Sequence, residues 1–193
     1  MVARPSQFQA DLFGSPLLTG LKQAANIITV AEEARLIAEI NRTALEPFKF
    51  QQWTGKRLTH SFGYSYDFET GKLDRAAPIP PWLLPLRERA ADFAGLEPDQ
   101  LVQVLLIRYD PGAGIGWHRD RPVYSDVIGI SLGEAAILRF RRRDRDRFER
   151  VNAPLDPCGI YHMSGEARYA WEHSISEMEA TRWSITFRAM AER

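Results

Sequence analysis

The chain has 193 residues, 45% hydrophobic and 26% charged, so it can bury a substantial core and shows no signature of disorder. Lys and Arg number 25, as do Asp and Glu, which excludes a uniformly basic nucleic-acid coat but allows a local basic face. The single cysteine, Cys158, excludes a disulfide framework and a Cys-rich zinc site. Without a membrane-length apolar run or a signal-peptide pattern, we expect a cytoplasmic monomer with no membrane partner.

The N-terminal part of the chain predicts an arm, an edge strand and a helix. Residues 1–16 lack a clean hydrophobic period, and we expect a flexible arm ahead of one domain spanning residues 17–193. A short apolar stretch within residues 17–28 fits an edge strand. Thr29, with Glu32 three residues later, has the pattern of a capping box and predicts that a helix begins there.

Aromatic residues alternate with polar ones between residues 48 and 66, which predicts two strands around a turn at Gly55. Apolar residues at helical spacing from Trp82 predict a second helix that ends near Gly95. Short β-like runs then follow: 101–109, 126–132, 135–141, 148–152, 159–163 and 182–190. The sequence therefore predicts an α+β, mainly β, jelly roll with two outer helices near its N-terminal half.

Two histidines and an aspartate form a candidate metal site. His118 and Asp120 are two apart, so on an extended segment both side chains leave the same face and can reach one ion. With His173 they make two imidazoles and one carboxylate, which suit non-haem Fe(II) with open coordination positions, although zinc could take the same ligands in a hydrolase. The remaining histidines, His60 and His162, are expected to be structural.

The strand predicted over residues 182–190 carries a second candidate site. Alternation places Trp183, Ile185 and Phe187 on a core face, whereas Arg182, Ser184, Thr186 and Arg188 share the other. Two guanidiniums and two hydroxyls facing one cavity are costly to bury unless an anion binds them, and a dicarboxylate between the metal and an arginine would satisfy them. The hydroxyl of Tyr109, on a neighbouring strand, could reach the same anion.

Taken together, Tyr109, His118-x-Asp120, His173 and Arg182-x5-Arg188 resemble the AlkB family of Fe(II)/2-oxoglutarate-dependent dioxygenases. The resemblance covers most of the chain and extends to further segments: Gly20-Leu21, residues 57–66, Pro80-Pro81-Trp82 and Ser131-Leu132-Gly133.

The resemblance implies a double-stranded β-helix with Fe(II) bound by His118, Asp120 and His173. It implies a 2-oxoglutarate site formed by Tyr109, Arg182, Ser184, Thr186 and Arg188. With O2, such an enzyme converts 2-oxoglutarate to succinate and CO2, and it hydroxylates an N-methyl group that is then lost as formaldehyde. The implied partner is alkylated single- or double-stranded nucleic acid.

The chain departs from the DNA-repair members of the family at Ile107 and at Arg121-Pro122. Ile107 stands where they usually carry Asn, so one hydrogen bond to the co-substrate is lost or is replaced, for example by Gln103. Arg121 and Pro122 follow the metal-binding aspartate where some members have an acidic base-contacting residue. Trp171 resembles a subset that includes tRNA-modifying and bacterial forms.

The resemblance places a substrate lid at about residues 48–75. Flipped bases are held by aromatic stacking beside basic residues, so the candidate substrate residues are Trp53, Arg57, Phe62, Tyr64 and Tyr66. Phe62, Tyr64 and Tyr66 are expected on one strand face. The alternative is that this aromatic strand only covers a core.

Residues 139–150 contain seven arginines. They predict either a basic hairpin that contacts nucleic acid or, slightly favoured, a solvated hairpin whose charge is offset by Asp144, Asp146 and Glu149.

The sequence is therefore compatible with three functions. The first is an oxidative demethylase of alkylated bases in DNA or RNA repair. The second is a related hydroxylase or demethylase acting on tRNA or a protein side chain. The third is a jelly-roll binding module without turnover, which the complete set of ligand-type residues argues against.

Overall fold

A computed structural model describes residues 17–50, 53–67 and 70–191, with the backbone alone for Phe50 and Trp53. The predicted arm, residues 1–16, lies outside the described residues. The helices are α1 (Val30–Arg42), α2 (Leu84–Ala94) and α3 (Gly165–Tyr169), with 3-10 turns at Pro81–Leu83 and Pro98–Gln100. The strands are β1 (Leu21–Ala24), β2 (Glu46–Phe50), β3 (Trp53–Phe62), β4 (Tyr64–Tyr66), β5 (Leu73–Arg75), β6 (Leu101–Tyr109), β7 (Ile115–His118), β8 (Tyr124–Gly133), β9 (Ala136–Asp144), β10 (Arg147–Leu155), β11 (Ile160–Met163), β12 (Glu172–Ile175) and β13 (Arg182–Met190).

Two antiparallel sheets form the jelly roll. The major sheet has the order β1-β11-β8-β13-β6-β3-β2, the minor sheet has the order β10-β9-β12-β7, and β4 pairs with β5. The predicted mainly β class is confirmed, and the predicted strands at 101–109 and 182–190 coincide with β6 and β13. The predicted N-terminal edge strand is confirmed as β1, whereas β7, β12 and α3 are additional.

The two predicted helices cover the outside of the major sheet. Thr29 caps α1 in the predicted capping box: its hydroxyl accepts from the Glu32 amide at 3.2 Å, and the Glu32 carboxylate accepts from the Thr29 amide at 2.9 Å. Gly95 ends α2 with φ of 72°, a conformation that glycine adopts without a steric penalty. The apolar faces of both helices, including Ile40 and Leu86, join the core formed with the major sheet.

Two local expectations are wrong. Gly55 lies inside β3 rather than at a turn, because Phe50 pairs with Trp53 and the chain reverses before Gly55. Phe62, Tyr64 and Tyr66 do not share one strand face, because the left-handed Gly63 (φ 77°) separates β3 from β4.

A second core fills the space between the sheets. It includes Val127 from the major sheet and Leu138 and Phe140 from the minor one. The functional cavity opens beside this core, so rigid strands form its walls. None of the helices in the described ranges is long and apolar enough to cross a membrane.

Candidate active site

A cavity of about 1330 Å³ lies between the two sheets. The predicted metal ligands and co-substrate residues all line it: Tyr109, His118, Asp120, His173, Arg182, Ser184, Thr186 and Arg188. Residues 70 positions apart in the sequence therefore meet in one pocket, because β13 and β6 form its floor while β7 and β12 form one wall.

The predicted metal ligands converge. His118 ends β7 and lies directly across from His173 on β12, and their ring centroids are 4.2 Å apart. The candidate ligand atoms of these histidines and Asp120 all lie within 4.8 Å of one another, and Asp120 Oδ2 is 3.8 Å from His173 Nε2. His118 Nδ1 donates to the Gly116 carbonyl at 2.9 Å, since a carbonyl can only accept, and this leaves the Nε2 lone pair for a metal.

The electrostatics of this trio favour cation binding. Burial lowers the pKa of His173 to about 3, with a further contribution from His118, so the imidazole is neutral and free to ligate. Burial opposes ionisation of Asp120, but the Arg188 guanidinium beside it lowers the pKa of Asp120 below its usual range. Two neutral imidazoles and one ionised carboxylate form a donor set that fits a divalent transition metal with open positions.

The Arg182 guanidinium is built to receive an anion. Its side chain is 1% exposed, and Nη2 donates to Ser131 Oγ at 3.1 Å. Nε and Nη1 are buried and have no hydrogen-bond partner in the part of the chain that the structure describes. The guanidinium carbon lies 5.4 Å from the ring centre of Tyr109, the residue opposite Arg182 in the β-ladder. Leaving two N–H groups and a charge unpaired is costly, and a carboxylate that accepts both would remove that cost. These residues therefore fit a 2-oxoglutarate carboxylate.

Arg188 has a different environment from Arg182 on the same strand. Its Nη2 is 3.2 Å from Asp120 Oδ1, and its Nη1 donates to Gln103 Oε1 at 3.0 Å. Gln103, the candidate replacement for the missing Asn, is buried and lines the cavity, whereas Ile107 contributes only an apolar wall. The structure thus places Arg188 beside Asp120, one of the three predicted metal ligands.

Sequence reasoning missed two large buried residues of the site. Tyr161 from β11 lines the cavity, its pKa is raised to about 12 by burial, and Gly129 leaves room for its ring. Arg168 from α3 donates to the carbonyls of Arg121 and Tyr124, and so it ties down the loop that follows Asp120. Alternation along 159–163 could have indicated Tyr161; no local pattern indicates Arg168.

The candidate substrate residues separate into two groups. Arg57 lines the cavity at 7% exposure with its guanidinium 3.8 Å from the ring centre of Phe48, and Tyr66 lines the rim beneath Arg121. The structure does not bring Phe62 or Tyr64 to the cavity. Phe62 is buried in the core under the helices, and Tyr64 packs against Arg75. The side chain of Trp53 lies outside the described residues.

The remaining histidines do not belong to the metal trio. His162 is buried, and its Nε2 is 2.8 Å from Asp126 Oδ1, while His60 Nδ1 is 3.0 Å from the Ala44 carbonyl. Cys158 is buried, as expected from its size.

The chain matches the sequence model of the 2OG-Fe(II) oxygenase superfamily over residues 17–188. Among curated proteins it is 29% identical over 166 residues to the mouse tRNA (carboxymethyluridine(34)-5-O)-methyltransferase ALKBH8, covering 81% of this chain but only 24% of that protein. It is 29% identical over 157 residues to the alpha-ketoglutarate-dependent dioxygenase AlkB of Salmonella typhimurium, covering 73% of this chain and 68% of that one.

The fold has solved counterparts. A structure described as that of OsALKBH1 superimposes with a TM-score of 0.69 at 14% identity, covering 88% of this chain and 96% of that one. At that identity the likeness concerns the fold alone. The region that matches the family model, residues 17–188, contains the three predicted metal ligands and both arginines of β13.

Proposed function

Because this chain belongs to the AlkB family of Fe(II)/2-oxoglutarate-dependent oxygenases, we propose that it oxidatively demethylates alkylated bases in nucleic acid. The observation that carries the proposal is that one cavity holds both the His118–Asp120–His173 trio and the Arg182 guanidinium, whose Nε and Nη1 have no partner among the described residues. The enzyme uses Fe(II), 2-oxoglutarate and O2, and its described residues supply a matching site for the first two.

His118, Asp120 and His173 would hold the iron, and Arg182, with Tyr109 beside it, would hold the distal carboxylate of 2-oxoglutarate. Bound there, the iron centre supplies the oxidation of a C–H bond, with 2-oxoglutarate and O2 yielding succinate and CO2. The chain's own contribution is orientation: β13 aims Arg182 at the co-substrate, and Arg188 keeps the Asp120 carboxylate ionised and in place.

In the proposed reaction one oxygen atom enters a C–H bond of the N-methyl group and gives N–CH2OH. The C–N bond of this hemiaminal then breaks, its hydroxyl proton is lost, the base nitrogen is restored, and formaldehyde leaves. Arg57 over Phe48, and Tyr66 at the rim, offer a cation and aromatic faces on the side of the cavity where the base would enter.

The test is formaldehyde and succinate release in the presence of Fe(II), ascorbate and 2-oxoglutarate. The substrates are oligonucleotides with 1-methyladenine or 3-methylcytosine, and the His118→Ala variant is the blank. Formaldehyde equal to succinate supports base demethylation. Succinate without formaldehyde from all such substrates would overturn it while leaving an active oxygenase.

A tRNA substrate is the second candidate. It is favoured by the similarity to ALKBH8, which is named as a tRNA enzyme, and by Arg121-Pro122 after the metal-binding aspartate. This chain spans about a quarter of the mouse protein, so that name comes from a much longer chain. Succinate release with a tRNA, compared with release using the same tRNA without its modifications, tests whether tRNA is the substrate.

A further inference from the structure

The arginine-rich segment forms one ordered surface on the outside of the minor sheet. Arg139, Arg141 and Arg143 project from the outer face of β9, because the alternate residues Leu138 and Phe140 are buried between the sheets. Because β9 pairs with β10, two residues of β10 lie on the same outer face, directly across from two of these arginines. Arg150 stands opposite Arg141, and Phe148 stands opposite Arg143.

Aromatic rings support these guanidiniums. Arg141 lies over both Trp117 and Phe148, with its guanidinium carbon 4.5 Å and 4.7 Å from the two ring centres. Arg139 lies over Trp117 at 5.2 Å, and Arg143 and Arg150 lie over Phe148 at 5.8 and 5.6 Å. We call this set the arginine face: Trp117, Arg139, Arg141, Arg143, Phe148 and Arg150.

The arginine face has an excess of positive charge that nearby acids do not offset. Arg141 pairs with Glu172 at 2.7 Å, but no carboxylate of the described residues lies within 4.0 Å of Arg139, Arg143 or Arg150. These three donate to the Ser174 hydroxyl and to backbone carbonyls.

Two of the three acids expected to neutralise the segment are engaged elsewhere. Glu149 pairs with Arg142, which stands on the other face of β9, and Asp144 lies 3.9 Å from Arg147 at the hairpin end. In a chain without net charge, a cluster of four guanidiniums and one carboxylate is therefore a local positive field.

The arginine face adjoins the active site. Trp117 precedes the metal ligand His118 and itself lines the cavity, and Ser174, beneath Arg139, follows the ligand His173. From β7 to β10 the face crosses three interstrand spacings, or roughly 14 Å. Trp117, on the edge strand of the minor sheet, therefore belongs both to the arginine face and to the cavity lining.

We propose that the arginine face binds the phosphate backbone of the nucleic acid strand whose base enters the active site. The inference rests on the proposed function and adds a docking surface to it. Guanidiniums held over rings lose little further freedom on binding, and their N–H forks match phosphate oxygens. Regularly spaced phosphates also suit a surface of several separate cations.

The test measures binding of a fluorescein-labelled, unmethylated single-stranded oligonucleotide of about 15 nucleotides, by anisotropy at several salt concentrations. The variant is Arg139→Gln/Arg143→Gln/Arg150→Gln, and the charge-matched control is Lys22→Gln/Arg35→Gln/Arg42→Gln on β1 and α1. We expect the variant to lose about tenfold or more in affinity and its salt slope to fall by about 2, since each phosphate contact to a single strand contributes about 0.7. The control should bind like the wild type.

Thermal unfolding and 2-oxoglutarate binding report whether the variant is folded. Should the triple variant unfold, the single Arg143→Gln change decides instead, because Arg143 is exposed and bonds only to a local carbonyl. Its salt slope should fall by about 0.7.

Unchanged affinity and slope in the arginine variant would overturn the proposal. Tighter binding of a polyglutamate peptide than of the oligonucleotide, lost in the same variant, would also overturn it and assign the face to an acidic protein. The proposed function can fail independently of this proposal. If the variant loses oligonucleotide binding but the wild type releases no formaldehyde from methylated oligonucleotides, the demethylase function is wrong and the phosphate-binding surface stands.

Discussion

Arg188 Nη2 lies 3.2 Å from Asp120 Oδ1, so the strand that carries Arg182 also holds the carboxylate of the candidate metal site. Nη1 of the same Arg188 guanidinium donates to Gln103 Oε1, which holds Arg188 from a second side. The proposed metal site and the proposed co-substrate arginine are therefore connected through one strand, β13.

Arg188→Gln should weaken divalent metal binding about 10- to 100-fold, because the partner that orients Asp120 and keeps it ionised is removed. Calorimetric titration with Mn(II), which does not oxidise during the experiment, measures this directly. Binding equal to that of the wild type would mean that Asp120 needs no such support.

Arg182→Met should have two opposite effects. It should raise the 2-oxoglutarate requirement at least about 30-fold, which corresponds to the loss of about 2 kcal/mol from a buried charge pair. It should leave the ligand-free protein equally stable or more stable, because a buried and partly unpaired charge is replaced by apolar volume. Steady-state kinetics and thermal unfolding without co-substrate check the two effects. A variant that unfolds more easily would assign Arg182 a structural role.

His118→Ala and Asp120→Ala should abolish iron-dependent turnover and leave the fold intact, since neither side chain belongs to a hydrophobic core. Succinate production and circular dichroism give the two readouts. Residual turnover in the His118→Ala variant above that without added iron would contradict the metal assignment.

Three aromatic substitutions distinguish the rim from the core. Tyr66→Ala should weaken oligonucleotide binding and spare the decay of 2-oxoglutarate without substrate, because Tyr66 lines the cavity but is not one of the candidate metal or 2-oxoglutarate residues. Tyr64→Ala is the matched control and should change neither oligonucleotide binding nor 2-oxoglutarate decay, because Tyr64 does not line the cavity. Phe62→Ala should cost about 3 kcal/mol of unfolding free energy through the cavity it leaves in the core. Urea unfolding and anisotropy separate these outcomes.

The cap of α1 predicts a stability change in acid. Bonds from the Thr29 amide and from Arg89 lower the pKa of Glu32 to about 2, whereas the unfolded value is near 4.5. A depressed folded pKa means that this stabilisation is present above pH 4.5 and is lost as the pH falls towards 2. Thr29→Ala should cost about 1 kcal/mol at pH 7. Glu32→Gln removes the titrating carboxylate, so its deficit relative to the wild type should shrink from pH 7 to pH 2.5 in urea titrations. A Glu32→Gln deficit independent of pH would contradict this linkage.

Local periodicity predicted those parts of the site that one strand or one short motif contains. The alternation of Arg182 to Arg188 lies on a single strand, so the facing side chains follow from the period of two. In the motif His118-x-Asp120, His118 ends β7 and Asp120 lies just beyond the strand, and the short separation keeps both in one site. The capping box and Gly95 are likewise local, and the structure has both.

The wrong or missed predictions for the site concern residues whose positions depend on contacts with distant parts of the chain. Gly63 changes direction in the middle of an alternating run, so Phe62 turns into the core while Tyr66 reaches the rim. Tyr161 enters the site through the pairing of β11 with β8, and Arg168 through a five-residue helix too short for a hydrophobic period. Long-range packing decides each case.

The strand order of the major sheet places the proposed co-substrate residues and the candidate substrate residues on different strands. β13 is the middle strand of seven, whereas β2 and β3, which carry Phe48 and Arg57, form one margin. A change in β2 disturbs hydrogen bonds to β3 alone, whereas a change in β13 disturbs those to both β6 and β8. New substrate preferences can thus arise by altering the periphery while the oxidative apparatus is inherited intact.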